Sequence, residues 1–204
     1  MESGTSVRGY EPRAGAGRGM LVGRAVLTTL FGLASWVVAA GIVSLPWFVA
    51  VLRDRGGLVT YPTMGLIAGA LFGLANRSLR KVLTGMLAGA VGMLVAFTIT
   101  VTVLFAFFHN AALGGWPATL ASAAILSTVF CMIYGAATQG RRSMGLFALV
   151  ALVVSVPFAL AMGMMPTTGD DDSMVLLFIQ AGAFGLAIGL ATAIHQMRSA
   201  GRPR

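Results

Sequence analysis

With 204 residues, 57% of them apolar and only 10% charged, the chain has too little polar surface to cover a water-soluble domain of its size. The composition points to an integral membrane protein and leaves no room for a sizeable soluble domain. The net charge of +8 is not gathered on one basic stripe but lies in short clusters between apolar runs, which argues against nucleic-acid binding and for membrane topology.

Residues 1–24 are polar, Gly-rich and basic without apolar periodicity, which predicts a flexible cytoplasmic tail. The apolar run from Ala25 to Leu52 is too long for the core of a cleaved signal peptide and reads as a retained first span. Charge-free runs then cover 56–76, 82–140, 143–169 and 173–197, with His195 counted as neutral. The run 82–140 is long enough for two spans of about 20 residues, with the turn at HNAALGGWP.

The expected fold is therefore all-α. It is a polytopic membrane protein with six transmembrane helices over 25–198, arranged as three consecutive helical hairpins and followed by a C-terminal tail, 199–204. Pro62 and Pro117 are expected at the first positions of the second and fourth spans, where a missing N–H costs nothing. Asp172 or Ser173 is expected to cap the sixth. Pro46 and Pro157 are expected to kink the first and fifth.

Six spans with a cytoplasmic start place twelve basic residues inside and only two, Arg53 and Arg55, outside. Treating the Gly-rich second span as re-entrant would leave four inside and ten outside, which inverts the positive-inside rule. Trp47, Tyr61, Phe105, Phe107, Phe108 and Trp116 fall at the expected outer boundary, as an aromatic belt does. Abundant Gly and Ala with thirteen Arg to one Lys fit a GC-rich bacterial genome, so the expected location is a bacterial plasma (inner) membrane with both termini cytoplasmic.

The even-numbered spans share small residues at every fourth position. These are Gly65, Gly69 and Gly73 in the second; Ala123, Ser127, Cys131 and Gly135 in the fourth; and Ala181, Gly185 and Gly189 in the sixth. Each series ends in Gly-x-Ala before a basic residue, and the closing glycines are 62 and 54 residues apart, so the repeating unit is one hairpin. Residues four apart share a helix face, and small ones admit close backbone approach where lipid supplies no hydrophobic drive. The stripes are expected to be contact faces, and Gly85, Gly89, Gly92 and Ala96 of the third span suit a close neighbour.

No Asp, Glu, Lys or Arg falls within the hydrocarbon depth of any expected span, which speaks against proton-coupled transport, ion pumping and intramembrane catalysis. Gln180 is the most polar side chain at depth and is expected to bond across a helix interface. Thr98, Thr100 and Thr102 are expected to bond back to their own helix. Cys131, with no base at its depth, is expected to pack. The outer Met162, Met164, Met165, Met174, His109 and Asp170–Asp172 offer copper-type ligands, but core-filling Met and a solvated acidic turn are the ordinary readings and take precedence.

No catalytic, cofactor or metal residue is therefore assigned, and no enzyme is expected. The expected role is a non-enzymatic membrane subunit or scaffold that associates with other membrane proteins, or with itself, through small-residue helix faces. Anionic lipid head groups are expected at its basic side. The alternative is a permease or transporter subunit for a neutral or apolar solute that uses Gln180 and the proline-bearing spans.

Overall fold

The structure is a computed structural model, and it describes residues 14–52, 56–75, 78–108, 116–164 and 170–200. The described residues form helices and no strand: α1 (Ala14–Val43), α2 (Pro46–Leu52), α3 (Gly57–Leu74), α4 (Leu79–Phe108), α5 (Trp116–Gln139), α6 (Met144–Met164) and α7 (Asp170–Ala200). Apolar surroundings leave backbone groups no partner but their own helix, which is why runs this apolar become helices. Five helices, α1 and α4 to α7, are long and apolar enough to cross a bilayer, whereas α3 contributes the shorter apolar stretch Leu58–Leu74. The fold is that of an all-helical, multi-pass membrane protein.

Setting aside the short α2, the helices close into a ring in which α1, α3, α4, α5, α6 and α7 each pack on the next and α7 returns to α1. The most extensive pairings are α3 with α4, α1 with α7 and α5 with α6. These are offset by one helix from the expected hairpins: each of α3, α5 and α7 packs most tightly on the helix that follows it around the ring.

The glycines supply the reason. A methyl group added at Gly65 would run into the backbone of Gly89, and one at Gly69 into that of Gly85. At Gly73 it would lie 2.8 Å from the Lys81 carbonyl oxygen. Each four-residue step forward on α3 is matched by a step back on α4, so the two run antiparallel with backbones in contact. On the other side of the ring, a methyl at Gly32 would lie 2.6 Å from the Gly185 carbonyl oxygen, and one at Gly189 would lie 2.7 Å from Thr29 Cα. Gly135 of α5 is covered by the Phe147 ring of α6, 2.5 Å from the same imagined methyl. Gly73, Gly135 and Gly189 thus hold equivalent places in three helix pairs, and Gly85 and Gly89 are the close neighbours of α3.

Following the antiparallel contacts around the ring puts the start of α1 and the finish of α7 at one end. Arg24, Arg80, Lys81, Arg141, Arg142 and Arg198 lie at that same end.

Several boundaries differ from expectation. Pro46 does not kink α1, which ends at Val43; it opens the separate helix α2, a position that needs no N–H. Pro62 lies inside α3 rather than at its first position, because the helix already starts at Gly57. Pro157 lies inside α6, as expected, whereas Pro117 is the second residue of α5 rather than the first. The backbone is helical from Asp170, so Asp172 and Ser173 sit within the first turn of α7 rather than capping it. At the other end of the chain α1 begins at Ala14, inside the stretch expected to be an unstructured tail, and residues 1–13 lie outside the described residues.

The turn from α5 to α6 depends on Gly140, whose φ of 91° and ψ of 162° suit glycine alone. Ser143 completes it, its hydroxyl donating to the Gly135 carbonyl at 2.9 Å and the Gly140 carbonyl at 2.7 Å. Gly140→Ala is expected to cost about 1–2 kcal/mol, read as a lower midpoint in detergent-denaturation of the purified chain. An unchanged midpoint would show that the turn relaxes freely.

Candidate functional site

The centre of the ring is the place where a membrane protein of this size would hold a solute, and here it is filled by aromatic rings from three helices. Trp36 of α1, Phe130 of α5 and Phe184 of α7 meet with centroids 5.1, 5.2 and 5.5 Å apart, in edge and tilted geometries. Tyr134 continues the cluster, 5.8 Å from Phe130. Met64, Met93, Phe147 and Ile188 complete a core in which none of these side chains is appreciably exposed. Edge-to-face rings stabilise one another through their quadrupoles beyond simple contact. Sequence reading did not single out this cluster, since lipid-facing and core-facing positions in a span are equally apolar.

The polar side chains within the helices are mostly bound to their own chain. Thr98, Thr100 and Thr102 each donate at 2.8 Å to the carbonyl four residues earlier, as their spacing predicts. Gln180 bonds across the bundle as expected, its Oε1 accepting from the Tyr61 hydroxyl at 2.8 Å. Tyr61 is therefore a cross-helix partner, and it also lies over Phe97 at a centroid distance of 5.3 Å. Tyr61→Phe and Gln180→Leu are each expected to lower stability by about 1 kcal/mol or less, with the double variant no worse than either. Full additivity in the denaturation midpoints would mean that the bond contributes nothing.

Cys131 is fully buried, consistent with a packing role. Thr128 and Thr192 bury hydroxyls that have no protein partner among the described residues, but they stand on separate helices, α5 and α7. Among the described residues no three His, Cys, Asp or Glu side chains converge as a metal site would require. His109 and Met165, and the side chains of Met162, Met164, Met174 and Asp170–Asp172, lie outside what the structure describes.

An open groove of about 310 Å³ runs between α1 and α7, lined by Val26, Leu30, Leu190, Ala193 and Met197 among others. Its one polar lining side chain, Thr29, donates to the Ala25 carbonyl at 3.0 Å, so the walls offer a polar solute nothing to bind.

Compared with family models, curated proteins and solved structures, the chain finds no match. Its function has to be read from its own geometry. That geometry consists of a packed aromatic centre, polar groups mostly tied to their own helices with Tyr61 and Gln180 bonded between two, an apolar outer surface and basic residues at one end.

Proposed function

We propose that the chain is a non-enzymatic, six-span membrane subunit or scaffold that associates with other integral membrane proteins or with a second copy of itself. The closed centre formed by Trp36, Phe130 and Phe184 carries this reading, because a solute path would need open space and free polar groups there. The rival, a permease subunit for a neutral solute, would have to part the Tyr61–Gln180 bond and displace these rings.

Parity supports counting α3 as the sixth span. α1 and α7 pack antiparallel, which requires an even number of crossings, and the five longer helices, α1 and α4 to α7, give an odd number by themselves. Its 18 residues reach about 27 Å, close to the thickness of a hydrocarbon core. Six crossings would put twelve basic residues on the side of the termini and two on the other, which supports a cytoplasmic location for both termini, and composition supports a bacterial plasma membrane. The basic residues at that end would draw anionic lipid head groups, each contributing on the order of 1 kcal/mol.

The glycine stripes on α3, α4 and α7 are engaged inside the ring, so partners would use small residues that remain open. Gly19 and Gly23 of α1 and Gly145 of α6 are such positions, where an added methyl meets nothing within 4 Å. Purification in mild detergent followed by mass spectrometry is expected to recover a stoichiometric membrane partner or a homo-oligomer. Gly23→Leu is expected to reduce that recovery severalfold while leaving the denaturation midpoint of the chain unchanged. A monodisperse single chain with no partner would overturn the reading.

A further inference from the structure

The short helix α2 is apolar on every side: its seven residues are Pro-Trp-Phe-Val-Ala-Val-Leu. Phe48 turns inward and packs against the core, while Trp47 and Val51, one turn apart on the same face, are 61% and 72% exposed. Pro46 and Ala50 are exposed as well. The helix is set off from α1 by a break at Ser44–Leu45, where the Ser44 hydroxyl and N–H both donate to the Ala40 carbonyl, at 2.8 and 3.0 Å. The sequence then turns charged at Arg53-Asp54-Arg55.

Position decides what covers the exposed face. Arg24 lies at the basic end, and the charge-free part of α1 after it, residues 25–43, rises about 28 Å, close to the thickness of a hydrocarbon core, so Val43 stands at the opposite bilayer boundary. α2 begins three residues later and, at about 10 Å, is too short to cross. Projected into water, it would leave Trp47, Val49 and Val51 unsolvated by anything apolar. Laid along the boundary, it places an amphipathic indole at head-group level and the aliphatic side chains against the acyl chains.

We propose that α2 is an interfacial anchor, held in the lipid head-group layer of the leaflet opposite the chain termini, with Trp47 and Val51 as its lipid-facing residues. This rests on α1 spanning the bilayer but not on the scaffold role. It gives the ring a fixed depth at the end away from the basic residues, so that the two faces are held by different means.

The test is site-directed spin labelling of the full chain in vesicles of four parts phosphatidylcholine to one part phosphatidylglycerol. Fully buried Cys131 stays unlabelled, so single reporters can be placed at the exposed positions Val51→Cys, Ala50→Cys, Phe31→Cys in mid-span and Arg141→Cys in the opposite turn. The labels at 50 and 51 are expected to meet oxygen severalfold more often than a water-soluble nickel chelate, and to read shallower than the label at 31. The label at 141 should favour nickel. A deep label at 31 with labels at 50 and 51 open to nickel would overturn the anchor alone. Labels at 50 and 51 shielded from both reagents would overturn it in favour of a protein partner. A label at 31 open to nickel would overturn the membrane reading beneath it.

Discussion

Gly69→Leu is expected to be among the most damaging single substitutions in this chain, lowering stability by about 3 kcal/mol or more and abolishing recovery of a folded monomer under conditions that preserve the parent. A methyl group at this position already overlaps the Gly85 carbonyl, and the atoms in the way are backbone, which cannot swing aside as a side chain would. Accommodating Leu means moving α3 off α4, and the contact is distributed over Gly65, Gly69 and Gly73 on one side and Gly85 and Gly89 on the other. In lipid the loss is not offset by any hydrophobic reward for reassociation, because a displaced helix finds the bilayer as apolar as its former partner. Gly23→Leu supplies the control, since nothing lies within 4 Å of that position. Denaturation midpoints of the two variants, measured side by side, should differ by most of the effect. Equal midpoints would mean that the α3–α4 contact is looser than its glycines indicate.

The same glycines show where sequence reading reaches and where it stops. Spacing of four told which face of each helix is small, and so that Gly65, Gly69 and Gly73 form a contact surface; it did not tell what they contact. The partner, Gly85 and Gly89 of the next helix, follows from how closely two backbones can approach, a property of the pair that neither stripe carries alone. Boundaries failed for a related reason. Ser44 and Thr60 each stand two residues before a proline, but both hydroxyls donate to the carbonyl four residues earlier instead of capping a start, and proline is tolerated both at a first turn and, in membranes, inside a helix.

At the candidate site, Gln180 stood out because an amide is rare in such a run, whereas Tyr61, its donor, was hidden among aromatics expected at the boundary. The residues that close the centre were illegible for a third reason. Phe130 in the core and Phe105 on the outside differ in burial but not in chemistry, and in a span the core and the lipid ask for the same side chains.

Trp36→Ala tests that centre. The indole is 1% exposed and touches rings on both α5 and α7, so its removal leaves a void bordered by Phe130 and Phe184 that neither can fill without leaving its own contacts. Large-to-small changes of this kind cost about 3–5 kcal/mol in water-soluble cores. Here the low end, about 3 kcal/mol, is expected, because the lost part is packing and ring–ring attraction rather than transfer from water. Coupling between Trp36→Ala and Phe130→Leu in a double-mutant cycle should account for about 0.5–1.5 kcal/mol of it. The same variant separates the two functional readings. A void lined by aromatic and aliphatic groups stays dry, so in a scaffold Trp36→Ala weakens the fold and opens no path for neutral solutes across proteoliposomes. Under the permease reading the indole is a plug, and its removal should raise glycerol flux above that of the parent chain. A rise of that kind in folded protein would move the function from association to transport.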